Sequence, residues 1–212
     1  MAVGPVPYSD GNTPPTGRQG KTGEAITGKA HGDYYESASR GTVFGACSNA
    51  AVTVQTTITT TAPATLHNPV ASQKRLQILE VRIAYFSGTM TAGLFYHGIN
   101  PVGTTLPSGG TTLTSTCMDV GNQSGVVAVG VAGTGRTVIA ATPVLVFASS
   151  FPALASSVVS PLMTCVDKLE GAIVLEPGGV YQLVGTFGGA GSSPAIGVSI
   201  LWNEVPIVAS NG

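Results

Sequence analysis

Charge is what this sequence has least of. Asp, Glu, Lys and Arg make up 9% of its 212 residues, against roughly 25% in an ordinary soluble domain. A formal net charge of −1 removes a strong electrostatic case for binding nucleic acid or an anionic membrane, and neither is expected as a partner. A lone copy would expose much uncharged surface, and nothing in its net charge repels a second copy. Such a chain is most comfortable when copies of itself or another protein cover part of it.

Cysteine and histidine are also scarce. Cys47, Cys117 and Cys165 are widely spaced and odd in number, which excludes a sequence-level disulfide framework or zinc pattern, and each is expected to be a small buried hydrophobe. None of His31, His67 and His97 lies two or four residues from another or close to a cysteine. A metal site would have to assemble in space, for example from His67 and His97 on neighbouring strands; no metal and no cofactor are expected. The opening MAVGPVPYSD has neither a basic stretch nor an apolar run, so synthesis and folding in a cytoplasm are expected. Gly125–Ala148 has a membrane span's length, but Arg136, Pro143 and Gly133-Thr134-Gly135 interrupt it, and two buried strands around a turn are expected there.

Catalytic motifs are missing as well. Gly20-Lys21-Thr22 ends like a phosphate-binding loop, yet Pro15 stands where the first glycine belongs and no strand or helix is expected beside it. In GNQSG (Gly121 to Gly125) the serine sits one place too late for a nucleophile elbow. Asn122-Gln123-Ser124 matches a glycosylation sequon, but no secretory signal accompanies it. Asp119, Asp167, Glu170, Glu176 and Glu204 fall near expected strand ends and turns, where carboxylates are commonly solvated. No catalytic residue is assigned, and an enzyme is not expected.

What is present is a sharp change in composition. Eight charged residues (Asp10, Arg18, Lys21, Glu24, Lys29, Asp33, Glu36 and Arg40) crowd into residues 1–40, among recurring Gly and Pro and few large aliphatics. Such a segment cannot bury enough apolar surface to fold alone and is expected to be an extended arm. Its acids cancel its bases, so it suits docking onto protein better than binding nucleic acid. Arg18, Lys21, Tyr34, Tyr35, Glu36 and Arg40 are the candidate contacts to neighbouring subunits or a capsid. Fully extended, those forty residues reach on the order of 130 Å at ~3.3 Å each.

Residues 41–212 read as β structure: short runs of Val, Ile, Thr, Tyr and Phe between Gly, Pro, Ser and Asn clusters. Strands are expected near Thr42–Ala46, Val52–Thr61, Ala64–His67, Arg75–Ser87, Thr91–His97, Thr111–Met118, Val126–Val131, Thr137–Phe147, Val158–Cys165, Ala172–Glu176, Val180–Phe187 and Ala195–Val205. Short helices are the best remaining expectation at Phe151–Ser156 and Cys165–Glu170. In RLQILEVRIAYFSG, alternation places Leu79, Val81, Ile83 and Tyr85 on one face and Ile78, Glu80, Arg82 and Ala84 on the other. Glu176-Pro177-Gly178-Gly179 is a turn in which proline presets the first φ and glycine accepts a positive one. The expected fold is all-β, an antiparallel two-sheet β-sandwich with jelly-roll connectivity, preceded by the extended N-terminal arm.

Five stretches carry a resemblance: HGDYYE (His31 to Glu36), SRGTVF (Ser39 to Phe44), TLHNP (Thr65 to Pro69), EPGGVYQL (Glu176 to Leu183) and ILWNEVP (Ile200 to Pro206). Across most of residues 31–207 the chain resembles a group of tailed-bacteriophage virion structural proteins. The resemblance implies a jelly-roll subunit, often a homotrimer, mounted on a capsid or tail. The function expected from it is a non-enzymatic capsid decoration or cement protein. Such a protein binds itself and the major capsid protein or another virion protein, and is located in the virion after synthesis in the host cytoplasm. The alternative is a receptor-binding module of a head fibre or tail tip, reading a cell-surface sugar with loops such as Gly98–Gly110 or Gly188–Ser193.

Overall fold

A computed structural model describes residues 34–54, 57–88, 93–100, 107–119, 127–138, 143–151, 164–187 and 194–207. They contain one short helix, α1 (Tyr35–Ser39), and twelve strands. The strands are β1 (Val43–Cys47), β2 (Val52–Thr53), β3 (Thr61–His67), β4 (Lys74–Ser87), β5 (Gly93–Asn100), β6 (Thr111–Thr112), β7 (Ser115–Cys117), β8 (Val131–Thr137), β9 (Val144–Phe151), β10 (Thr164–Leu175), β11 (Val180–Phe187) and β12 (Ala195–Pro206). From Glu36 onward the chain forms one unit; the arm expected over residues 1–40 lies outside the described residues up to residue 33.

The strands form two six-stranded sheets. One runs β10-β4-β12-β1-β7, with β2 on the same side of β12 as β1; the other runs β6-β8-β3-β11-β5-β9. Without the short β2, β6 and β7 and the added β8, eight strands remain, and they pair in a nested order. β1 pairs with β12, β3 with β11, β4 with β10 and β5 with β9, all antiparallel. First with eighth, second with seventh, third with sixth and fourth with fifth is the pairing of a long hairpin folded over on itself, a jelly roll. The segment between β5 and β9 supplies β6, β7 and β8, which widen both sheets on the side away from β9 and β10.

β12 shows why the sheets pack. Its even-numbered residues Ile196, Val198, Ile200, Trp202 and Glu204 are all buried while their odd-numbered neighbours are not, the period-two pattern of a strand with one face on a core. Facing them from the other sheet are Leu66, Phe95, Tyr181, Leu183 and Phe187, all buried. Phe95 meets Phe187 edge-to-face with ring centroids 5.0 Å apart. The Glu176–Gly179 turn forms as expected: Gly179 N donates to Glu176 O at 2.9 Å and Gly178 adopts φ 88°. Asn68 ties that turn to the end of β3, donating from its backbone to Gly179 O at 2.9 Å and from Nδ2 to Leu175 O at 2.9 Å.

Several expected elements differ. In β4 the register slips between Leu201 and Trp202, because Ile78 pairs with Trp202 while Glu80 pairs with Leu201, leaving Leu79 as an extra residue. That bulge reverses the alternation, so Ile78 sits in the core rather than beside Glu80 and Arg82. Cys165–Glu170 is strand, not helix: Val166, Lys168 and Glu170 are exposed while the residues between are half-buried. The strand expected over Val52–Thr61 is only β2 and the start of β3, and residues 127–130 precede β8 as loop. The Gly125–Ala148 run does hold two strands, but β8 and β9 stand near opposite edges of one sheet, and β9 is exposed.

Candidate interaction surface

On one side of the sandwich, the edges of the two sheets, β9 and β10, lie next to each other and differ in character. β10 carries Asp167, Lys168 and Glu170, and its register with β4 slips between Lys168 and Ile173. Charges and bulges are the usual guards of a sheet edge against further pairing. β9 reads VLVFASSF and has no charge. Val144 (60% exposed), Leu145 (39%), Val146 (40%) and Phe147 (46%) form a run of four large apolar residues open to solvent.

Pairing with β5 shows that both faces of β9 are apolar. Val144 stands opposite Ile99 and Phe147 opposite His97, toward the other sheet, whereas Leu145 stands opposite Gly98 and Ala148 opposite Tyr96, away from it. Val146 is the extra residue between them. A cleft of about 280 Å³ opens between the two edges, lined by His97, Phe147, Ser149, Asp167 and Lys168 among others.

Its floor is a polar cluster. His97 is fully buried, with Nδ1 2.8 Å from the Tyr181 hydroxyl and Nε2 3.0 Å from Asp167 Oδ2. Burial pushes the His97 pKa below its ordinary value, against the pull of the Asp167 hydrogen bond and charge. Burial, reinforced by Asp167, pushes the Tyr181 hydroxyl well up. The neutral ring therefore donates from Nε2 to Asp167 and accepts at Nδ1 from Tyr181. Cys165 Sγ lies 3.5 Å from Asp167 Oδ1, and burial, then Asp167, push the thiol up to about 11.

Ser149 Oγ lies 3.4 Å from His97 Nε2, the nitrogen that already faces Asp167. In a serine hydrolase relay the histidine serves the serine and the acid from different nitrogens. Here Tyr181 occupies the other one. The arrangement holds two sheets together and is not set up to move a serine proton.

The other candidates are scattered. Arg18, Lys21 and His31 lie outside the described residues, as does Gly188–Ser193. Tyr34 is half-buried, Tyr35 is exposed at the start of α1, Glu36 lies within α1 and Arg40 is exposed after it. His67 and His97 do not meet. They flank β11 on opposite faces, His67 opposite Val180 and His97 opposite Leu183. Among the described residues no group of three or more His, Cys, Asp and Glu is placed to hold a metal ion. Cys117 is buried, Cys165 half-buried and Cys47 exposed, because alternation along β1 turns Cys47 away from the core face of Phe44 and Ala46.

Glu204 departs furthest from expectation. Far from being solvated, it is 1% exposed. Its Oε1 accepts from Val129 N at 2.8 Å, Gly130 N at 3.0 Å and Trp202 Nε1 at 3.2 Å, and its Oε2 from Lys74 Nζ at 2.9 Å. Alternation in ILWNEVP puts Glu204 on the face of Ile200 and Trp202, and that pattern was the signal for its burial. Glu176, by contrast, is an exposed partner of Arg75 at 2.7 Å.

No protein-family model, curated protein or solved structure matches this chain.

Proposed function

We propose that the chain is a non-enzymatic structural subunit of a bacteriophage virion, a capsid decoration or cement protein. It self-associates and binds the major capsid protein or another virion protein, stabilising the head by burying surface that only the assembled particle covers. With no matching relative, the reading rests on the motif resemblance and on one structural observation. Among the described residues the jelly roll leaves an apolar, uncharged sheet edge at β9 exposed. An edge of that kind is a template for contact with another chain. The arm would add a tethered attachment for each subunit, multiplying weak contacts.

The test is removal of residues 1–40, the whole expected arm, which leaves every described strand in place. The truncated protein is expected to keep its circular dichroism spectrum and lose most attachment to capsids that lack the native protein. Full attachment after truncation sinks the arm mechanism.

The cleft favours a second reading, the receptor-binding module. An exposed Phe147 ring beside Ser149, Asp167 and Lys168 offers a stacking surface and hydrogen-bonding groups for a sugar. Saturable binding of host-cell glycans, lost in Phe147→Ala, would rank this reading first.

A further inference from the structure

From Thr137 to Val166 no residue carries a charge, and the described part of this stretch holds β9. A ligand resting on one face of a strand covers alternate residues only. Over Val144–Ala148 both faces of β9 are apolar, with Val144 and Phe147 on one and Leu145 and Ala148 on the other, before Ser149 and Ser150 end the apolar stretch. Along the outer side of β9, no strand among the described residues pairs with its backbone. An element that buried this edge without pairing would strand amide and carbonyl groups in apolar surroundings. Only another strand covers both faces and satisfies the backbone at once.

We infer that β9 pairs with β9 of a second copy. The absence of charge selects that occupant: a charged partner would find nothing to grip, whereas two copies of an uncharged strip meet without repulsion. β10, one edge away, shows the contrast, since Asp167, Lys168 and Glu170 would place charges in any such contact. Two copies that use the same strand edge must run antiparallel about a two-fold axis perpendicular to the sheet, an isologous contact. It continues the β6-β8-β3-β11-β5-β9 sheet from one copy into the next. It also doubles whatever unit the rest of the surface builds, taking monomers to dimers and trimers to pairs of trimers. This inference rests on the self-association in the proposed function and adds its location and symmetry.

Light scattering on the full-length chain tests it. Leu145→Lys and Phe147→Glu alter solvent-exposed side chains, so the circular dichroism spectrum should hold while self-association weakens more than about tenfold and the mass halves. Val174→Lys, on the exposed face of β10, is the control and should leave the mass unchanged. A monomeric wild type, an unchanged mass in the β9 variants or a fall to one third overturns the inference. Should those variants misfold, Ala148→Cys in a chain carrying Cys47→Ser decides. Oxidation should link copies in that variant or in the matching Val144→Cys or Val146→Cys variants, whichever position lies at the two-fold axis, and not in Val174→Cys; no link in any of the three overturns the pairing. Capsid attachment is scored separately, so a halved mass without any attachment keeps the β9 contact and discards the virion reading.

Discussion

His97 and His67 occupy the two strands that flank β11, on opposite faces of one sheet, and both are buried. His97 has a partner on each ring nitrogen, while neither nitrogen of His67 finds one among the described residues. The outer face around His67 is unusual throughout. Thr65, Gln182 and Asn100 are buried there, and Gln182 Oε1 is unpaired although its Nε2 donates to Asn100 Oδ1. Arg136 lies over Gly133, where a Cβ would sit 2.2 Å from its Nε, and donates to Pro107 O at 3.3 Å and to Thr112 Oγ1. The inner cluster thus cross-links two sheets through satisfied bonds. The outer one pays a desolvation cost with little return.

The largest effect should come from a satisfied cluster on the opposite sheet. Glu204→Ala strands the Lys74 ammonium, the Trp202 indole and two backbone amides, and is expected to cost about 3–5 kcal/mol in urea unfolding. A loss near zero would mean that paired and unpaired buried groups do not differ here.

Tyr181→Phe should cost about 1–3 kcal/mol, because it leaves His97 Nδ1 buried without a partner and makes His97 resemble His67. Acid should act on both histidines. Burial depresses each pKa, with the Arg136 charge adding to the effect at His67, so the folded chain resists protons that the unfolded chain binds below about pH 6.5. Their stabilising contribution is present above that pH and is lost as the pH falls, by up to about 1.4 kcal/mol per unit per histidine. Melting temperatures should therefore decline between pH 7.5 and 5.5.

The smallest change is the sharpest contrast. His67→Leu removes two unpaired nitrogens from a buried face and should be neutral or stabilising, within about 1 kcal/mol, while flattening part of the acid slope. A loss comparable to that of Tyr181→Phe would show that His67 has a role that its unpaired nitrogens do not reveal.

Much of the framework was legible from local pattern. Alternation located β1, β4, β11 and β12 to within a residue or two, and Pro177-Gly178 predicted its turn, because these signals depend on φ, ψ and period alone. The bulge at Leu79 was not legible, since an extra residue leaves no mark on composition and is decided by which partner residues pair. Nor was the cluster of His97, Ser149, Asp167 and Tyr181, whose members come from four strands and carry no spacing motif. The arm residues Arg18 and Lys21 lie outside the described residues.

By itself the sequence determined an all-β sandwich with little charge, because period-two hydrophobicity and turn chemistry act over a few neighbouring residues. Only the tertiary structure decided which strands became edges. The apolar β9 reads as a buried strand and the Gly- and Arg-containing β8 as an interruption, yet β8 lies between β6 and β3 while β9 has one neighbour among the described residues. It likewise decided that Glu204 and His97 would be paired and His67 would not. Long-range contacts set the partners available to a buried polar group, and no single segment contains them.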